Sequence, residues 1–500
     1  MSTNKSLVQS ASSIGFATLC SRVLGFLRDV VIARLFGVYV YAQAFVVAFK
    51  IPNLFRDFVA EGAANSAFVP VFSKYSLTHS KEEFWELANI VLNLLLVALA
   101  SITILGIIGS GVIVRLIAPG FISDAYKLEA TIRLTRIIFP YILLIGLAAY
   151  ATALLNSLKH FVLSAFAPCL LNISIIAFTL IFGESVKGLA LGVLVGGLLQ
   201  LAVQMPLLYK KGFRLELFRK FKHPEVSAIS KLMLPRILSS GIYQLNNFVD
   251  SIFGSLTGIV GEGGVAGLYF SYRLIQFPIG IFSNALSQAI LPTFSRQAVN
   301  NNRQELKDTL TFGLEATFFL LLPASIGLMV LGKPIISNLF EGGRFDAYSR
   351  ELTANALFFY SLGLVAYGGT KILQSCFFAL GDTLTPAKVA ILALASNIIL
   401  NSILMFPLKL GGLALATSIS SLNTFLILFL ILKRKVGGLG SRRIFISFLR
   451  ILMASLCMAV VCYYSKALNL WLAILFGIGS YVIFCFFFRV KQIERLCKIF

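Results

Sequence analysis

Basic side chains occur inside stretches of this sequence that are otherwise apolar. Arg22 and Arg28 lie six residues apart in the segment Ser21–Asp29. On a helix they project within about 120° of each other, offset by about 9 Å along the axis. The guanidinium group is a planar fork that matches the oxygens of a phosphate. This spacing therefore predicts a surface that binds a phosphate-like anion at two depths of one cavity.

Two later apolar stretches add cations to this set. The predicted ligands of the anion are Arg22, Arg28, Lys50, Arg56 and Arg273. The acids in the same stretches are fewer, namely Asp29, Asp57 and Glu61. Full pairing would leave at least two cations without a countercharge, so we expect a cavity for an anionic ligand rather than internal ion pairs. Pro52 and Pro278 predict bends in the second and eighth stretches.

Composition identifies the elements that position these cations. Of the 500 residues, 58% are hydrophobic and only 13% are charged, which indicates a chain solvated by lipid. A membrane helix needs roughly 20 apolar residues. The sequence has 14 such runs and predicts an all-α polytopic membrane protein with 14 transmembrane helices. The runs lie near residues 10–37, 42–72, 86–115, 129–157, 161–182, 187–209, 228–257, 264–295, 308–332, 352–379, 385–406, 410–432, 443–465 and 469–489.

The net charge of +22 follows from topology rather than from nucleic-acid binding. Lysine and arginine concentrate in the N-terminus, the even-numbered loops and the C-terminus, which predicts that both termini are cytoplasmic. The richest loops, 210–231 and 433–443, are expected to lie along anionic headgroups. The first run carries charges and has no cleavage site, so we expect it to be retained.

Two halves of the chain resemble each other. Residues 67–74 (AFVPVFSK) are similar to 289–296 (AILPTFSR), and the tetrapeptide GLAL occurs at 188–191 and 412–415. An even number of spans per repeat predicts parallel repeats with a substrate site between them. The predicted organisation is an N-lobe at 1–210, a basic linker at 211–227, a C-lobe at 228–434 and two extra helices at 435–500.

Other charged or reactive residues have less specific interpretations. Arg133 and Arg136 are expected to extend toward an interface, and Glu315 to lie close to one. Cysteines and histidines are scattered without metal-ligand spacing, so no metal site is expected. The segment 327–333 has the spacing of a phosphate-binding loop, but it lies in an apolar run and Pro334 replaces Ser or Thr. No ATPase or enzyme domain is predicted.

Several motifs carry a resemblance to a known family. They are 21–29 (SRVLGFLRD), 48–56 (AFKIPNLFR), 60–63 (AEGA), 67–70 (AFVP), 139–144 (FPYILL), 165–173 (AFAPCLLNI) and 272–278 (YRLIQFP). Together they resemble the MurJ (MviN) lipid II flippases of the multidrug/oligosaccharidyl-lipid/polysaccharide exporter superfamily. The resemblance covers nearly the whole chain and the span count.

The resemblance implies export of lipid II, a diphosphate-linked peptidoglycan precursor, across the bacterial cytoplasmic membrane by alternating access. It implies that Arg22, Arg28, Arg56 and Arg273 line the cavity, and that the last two helices form a groove for the prenyl tail. Members often have acids where this chain has Gln43 and Gln276, and can have arginine where it has Asp57. Asp29, Asp57 or Glu61 then has to compensate in any ion-coupled switch. Some members bind sodium from the helix of Asp250, for which capping or local pairing is favoured here.

The expected ligands and partners follow from this resemblance. The chain needs no cofactor, and a sodium or proton gradient, the membrane potential or the substrate gradient drives transport. Lipid II and membrane lipids are the expected partners, cell-wall synthesis or division proteins are candidate ones, and the chain is expected to act as a monomer. A flippase for another polyprenyl-diphosphate oligosaccharide stays open as an alternative. A drug exporter of the same superfamily handling cations should instead have an acidic cavity.

Overall fold

The computed structural model describes residues 3–56, 67–217, 220, 223–438 and 440–493, with side chains from residue 15 onward except at 234–244 and 247. Regular structure in these ranges is helical, and the only extended pairing there is an isolated bridge between Gly342 and Phe345. The predicted all-α fold class is therefore confirmed. The chain divides into two compact units, Met1–Ser255 and Leu256–Phe500.

The first unit contains helices α1 to α10. They are α1 (Thr3–Phe36), α2 (Val40–Arg56), α3 (Val69–Thr78), α4 (Lys81–Ile117), α5 (Ala125–Ile138), α6 (Tyr141–Ser157), α7 (Val162–Phe182), α8 (Val186–Ala202), α9 (Met205–Lys211) and α10 (Pro224–Gly254). The apolar core of this unit gathers around the aromatic rings of Phe68, Phe72, Trp85 and Tyr150.

The second unit contains helices α11 to α20. They are α11 (Thr257–Val260), α12 (Gly264–Pro278), α13 (Ala285–Val299), α14 (Arg303–Phe340), α15 (Ala347–Leu362), α16 (Leu364–Ala379), α17 (Leu384–Leu408), α18 (Leu410–Val436), α19 (Ser441–Ser465) and α20 (Leu470–Phe487). The last two helices pack on α14, where the Tyr481 hydroxyl donates a 2.7 Å hydrogen bond to the Phe319 carbonyl. The extra helices thus share the core of this unit.

Ten helical segments of the described chain are long and apolar enough to cross a membrane, and the bent pair α15–α16 makes eleven. The segments that fall outside this set include α1, α2 and α10, the helices that carry Arg22, Lys50 and Asp250. Of these, α2 has 17 described residues, which is shorter than a membrane-spanning helix needs. The full count of 14 stays a prediction.

Several helices break where proline or glycine requires it. Pro140 separates α5 from α6, and Pro278 ends α12 before the π-helical turn Ile279–Asn284. The α15–α16 pair bends by 45° at Gly363, where a Cβ would lie 2.8 Å from the Ser418 Cα. Only glycine permits this close approach of α18, and small residues serve the same purpose at other membrane helix contacts.

The repeated GLAL segments occupy equivalent places in the two units. A Cβ on Gly188 would lie 2.7 Å from the Phe178 carbonyl oxygen, at the end of the preceding helix α7. A Cβ on Gly412 would likewise collide with the Leu404 carbonyl oxygen, near the end of α17. In both units the first glycine of the repeat therefore allows two consecutive helices to touch through their backbones.

The basic segment after α9 is docked rather than loose. Asn89 on α4 donates to the Arg214 carbonyl at 2.9 Å and accepts from the Glu216 amide at 3.0 Å. Asn93, one turn later, donates to the Glu216 carbonyl at 3.0 Å. Contacts divide the chain after Ser255, so α10 groups with the first unit, whereas the sequence suggested a border at 211–227. The predicted lobes themselves stay a prediction.

Candidate functional site

Arg28 lies at the centre of the predicted cation set and is buried, with 5% of its side chain exposed. Its Nε and Nη2 donate to Asp29 Oδ1 at 3.0 and 2.8 Å. Its Nη1 donates to the side-chain oxygen of Asn172 on α7 at 3.1 Å. The ring of Phe49 lies 6.0 Å below the guanidinium, within the range of a cation–π contact. All these partners belong to the first unit.

Asn172 connects α7 to α1 through both of its polar atoms. Its Nδ2 donates to the Ser21 carbonyl at 3.2 Å, while its oxygen accepts from Arg28. Gly25 faces the same amide, and a Cβ there would lie 3.7 Å from it. The sequence reasoning missed Asn172 as a site residue, although it belongs to the motif 165–173 that carries the family resemblance.

The structure shows an ion pair within the predicted cation set, and the anion-binding role of Arg28 stays a prediction. Arg28 was expected to face an open anion-binding cavity, but in this conformation it forms a buried ion pair with its neighbour Asp29, which has no exposed surface. An ion pair removed from water needs further hydrogen bonds to be tolerated, and Asn172 supplies one. Arg22, six residues earlier on α1, is exposed. The two arginines therefore differ in burial, and their placement at two depths of one cavity stays a prediction.

Lys50 on α2 contacts α10 within the first unit. The Lys50 ammonium donates to the Ser251 hydroxyl on α10 and interacts electrostatically with Asp250. It also lies 5.9 Å from the centre of the Phe248 ring. The capping or local pairing favoured for Asp250 from sequence stays a prediction. Ser251 is a contact that sequence reasoning did not identify.

The remaining predicted residues of α2 are placed in part. Gln43 has no exposed surface, and Arg56, the last residue of α2, is half-buried. Arg56 acts electrostatically on the buried Tyr141 of α6. Asp57 and Glu61 lie outside the described residues.

Arg273 and Gln276 lie together on α12, in the second unit. Arg273 Nη1 donates to Gln276 Oε1 at 3.2 Å, and Nη2 donates to the Tyr269 hydroxyl at 3.0 Å. The Tyr269 ring also lies 5.1 Å from the guanidinium carbon. Gln276 thus positions an arginine, as an acid could, without cancelling its charge. That Arg273 shares a cavity with the arginines of the first unit stays a prediction.

The structure also places the charged residues and the glycine segment that were not predicted to bind substrate. Arg133 and Arg136 are exposed on α5, and Arg136 Nε donates to the Ser110 hydroxyl at 2.9 Å. Glu315 is 1% exposed and pairs with Arg443 at 3.3 Å. Segment 327–333 lies inside α14, so its glycines belong to a helix rather than to a phosphate-binding loop.

Comparison with known proteins gives this arrangement a family. The family model described as Lipid II flippase MurJ matches residues 32–482. A protein of Buchnera aphidicola subsp. Acyrthosiphon pisum, named a probable lipid II flippase MurJ, is 36% identical over 460 residues, covering 91% of this chain and 89% of its own length.

Two solved structures resemble the fold. One, described as lipid II flippase MurJ in an inward closed conformation, has a TM-score of 0.80 and 29% identity, covering 95% of this chain and 98% of its own. A multidrug resistance MATE family transporter of the MOP superfamily, inward-facing, has a TM-score of 0.69 at 17% identity, covering 83% and 94%. The second likeness concerns the fold alone. From the family match over most of its length, the chain belongs to the lipid II flippase MurJ family.

Proposed function

We propose that the protein moves lipid II from the inner to the outer leaflet of the cytoplasmic membrane by alternating access. The proposal rests on the burial of Arg28 within a helix, in a chain that belongs to the lipid II flippase MurJ family. A diphosphate offers several charged oxygens, and arginine pairs with such oxygens through two parallel hydrogen bonds. Arg22, Arg28, Lys50, Arg56 and Arg273 are the proposed ligands, with Gln43 and Gln276 as hydrogen-bonding neighbours.

The Arg28–Asp29 pair suggests how binding is linked to movement. In the conformation described, Asp29 already neutralises Arg28, and Asn172 accepts from a further nitrogen of the guanidinium. A diphosphate therefore has to compete with Asp29 for this cation. A ligand shifts a conformational equilibrium only by binding one state better than the other. A state in which diphosphate replaces Asp29 beside Arg28 would bind the ligand better than the described state does, and binding would then favour that state.

Energy coupling in this proposal uses acids other than the two that the family often has. Gln43 and Gln276 can form hydrogen bonds but cannot hold negative charge. Asp250, which interacts with Lys50, is the described candidate for coupling, together with Asp29; Asp57 and Glu61 complete the proposed set. Transport proceeds without ATP hydrolysis and uses sodium, protons, the membrane potential or the substrate gradient.

The prenyl tail stays in lipid while the headgroup crosses. A surface cavity of about 430 Å³ between α14 and α19 is lined by apolar and aromatic side chains, including Val330, Leu456 and Tyr463. Such a lining suits a hydrocarbon chain, which supports α19 and α20 as the tail-binding part. Both termini are proposed to be cytoplasmic, from the distribution of basic residues.

The proposal is tested by depleting the protein in its native cell and measuring lipid II exposed on the outer leaflet. Exposure should fall and be restored by the wild-type protein, but not by Arg28→Ala or Arg273→Ala. Arg115→Ala is the matched control, since Arg115 is exposed at the end of α4 and its side-chain bond among the described residues is to the Gly111 carbonyl of its own helix.

Two results would overturn the proposal. Normal outer-leaflet lipid II after depletion would exclude lipid II as the substrate. Full restoration by both Arg28→Ala and Arg273→Ala would reject the cationic site while leaving the substrate in place. If another polyprenyl-diphosphate oligosaccharide accumulates instead, the alternative substrate applies.

A further inference from the structure

Tyr141, the first residue of α6, is enclosed on every side and has no exposed surface. Its ring centre lies 5.8 Å from that of Phe49 on α2. On α8, a Cβ at Gly197 would lie 2.7 Å from the Tyr141 Cδ2, so only glycine leaves room for the ring. The aromatic ring is therefore fixed between α2 and α8, and this fixes the direction of its hydroxyl.

The Tyr141 hydroxyl has no hydrogen-bond partner within the described part of the chain. Arg56 and Arg28 both act on it electrostatically, Arg56 more strongly. A buried hydroxyl without a partner destabilises the folded state, because it has given up its bonds to water. Phenylalanine would fill the same space without this cost. The hydroxyl is thus not explained by the folding of this unit.

Tyr150, on the same helix, provides the contrast. It is also buried, with 2% exposed, but its hydroxyl donates a 2.8 Å hydrogen bond to the Ala88 carbonyl on α4. Tyr150 therefore has a structural reason for its hydroxyl. Among the described residues, the Tyr141 hydroxyl has instead two nearby cations and no hydrogen-bond partner, which is the arrangement of a donor directed at a site for an anion.

We propose that Tyr141 is a substrate-binding residue whose hydroxyl donates a hydrogen bond to a phosphoryl oxygen held by Arg28 and Arg56. This inference rests on the proposed function, because the diphosphate of lipid II is the anion. The hydroxyl is enclosed in the described conformation, so the half-buried Arg56 side chain moves to admit the ligand. The Tyr141 hydroxyl would then lower the stability of the folded protein and raise its affinity for the ligand. Such a conflict between stability and function is common at binding sites.

The test compares Tyr141→Phe with Tyr150→Phe in the purified full-length protein. Binding of lipid II with a fluorescent stem peptide should weaken about tenfold in Tyr141→Phe, which corresponds to about 1.4 kcal/mol, while its melting temperature equals or exceeds that of the wild type. Tyr150→Phe should melt at a lower temperature and bind lipid II normally. Farnesyl diphosphate, a competitor without sugars, should also lose about tenfold in Tyr141→Phe.

Each other outcome counts against the inference. Unchanged lipid II binding by Tyr141→Phe would overturn it, and so would a fall in melting temperature like that of Tyr150→Phe, because the hydroxyl would then have a structural partner. Weaker lipid II binding with unchanged competition by farnesyl diphosphate would assign the hydroxyl to the sugar headgroup and reject the diphosphate contact. If the wild-type protein binds no lipid II, the proposed function fails first, and the inference fails with it.

Discussion

Removing Arg443 should loosen the attachment of α19 and α20 to the rest of the second unit. Glu315 on α14 is 1% exposed; its Oε1 lies 3.3 Å from Arg443 Nε at the start of α19. Its Oε2 accepts from Gln492 Nε2, beyond α20, at 3.0 Å. One buried carboxylate thus contacts a residue at the start of α19 and a residue beyond the end of α20.

The cost of breaking this contact should depend on which partner is removed. Arg443→Ala leaves a buried carboxylate with one neutral donor, and stranding a buried charge typically costs 3–5 kcal/mol. Because 46% of the Arg443 side chain is exposed, solvent screens the pair and we expect about 2 kcal/mol. Glu315→Gln leaves a cation that can reach solvent, so it should cost about 1 kcal/mol. The double variant Arg443→Ala/Glu315→Gln should be more stable than Arg443→Ala alone.

The two tryptophans of the chain allow the measurement to be local. Trp471 lies on α20 and Trp85 lies on α4 in the first unit. With Trp85→Phe as background, the fluorescence of Trp471 should report an earlier thermal transition in Arg443→Ala. With Trp471→Phe as background, the Trp85 transition should stay unchanged. The reasoning is refuted if Glu315→Gln shifts the Trp471 transition more than Arg443→Ala does.

Three further perturbations test other parts of the structure. Asp29→Asn removes the countercharge of buried Arg28 and should destabilise the protein by about 3 kcal/mol, measured as a lower melting temperature; no change would mean that the pair is not formed. A hydrogen bond from Lys435 holds the pKa of Asp382, in the loop after α16, down at about 2. Its stabilising effect should therefore be complete above the ordinary pKa of 3.8 and be lost as pH falls toward 2, and Asp382→Asn should remove this acid-dependent loss from pH-dependent unfolding. Asn89→Ala should release the segment after α9, and trypsin should cut there faster than in the wild type; equal rates would refute the docking.

The sequence predicts the helices well because apolar length and proline position are local properties. The run near 161–182 corresponds to α7 almost residue for residue, and the run near 410–432 corresponds to α18 except for the last turn of that helix. The partner of Arg28 was not predictable in the same way. Asn172 is 144 residues away, and an uncharged amide does not enter a count of charges. The same count included Asp29 but did not assign it to its sequence neighbour Arg28.

Docking of the segment after α9 was unpredictable for a related reason. Its basic composition suggests a solvated loop, but its backbone also bonds to Asn89 and Asn93. A backbone bond is independent of the side chains of the segment, so composition carries no sign of it. Glu315 was likewise expected near an interface, since sequence reasoning could not pair it with Arg443, 128 residues further on.

The paired glycines Gly188 and Gly412 have a consequence for how the chain is made. Each lies in a helical hairpin with a connection of a few residues at most, α7–α8 and α17–α18, whose helices touch through their backbones. Contacts so close in sequence form quickly and need no distant partner. Each hairpin can therefore pack while later helices are still being synthesised, and the duplicated halves provide one early assembly point each. Mutations at these glycines should accordingly lower the yield of inserted protein rather than the activity of the molecules that reach the membrane.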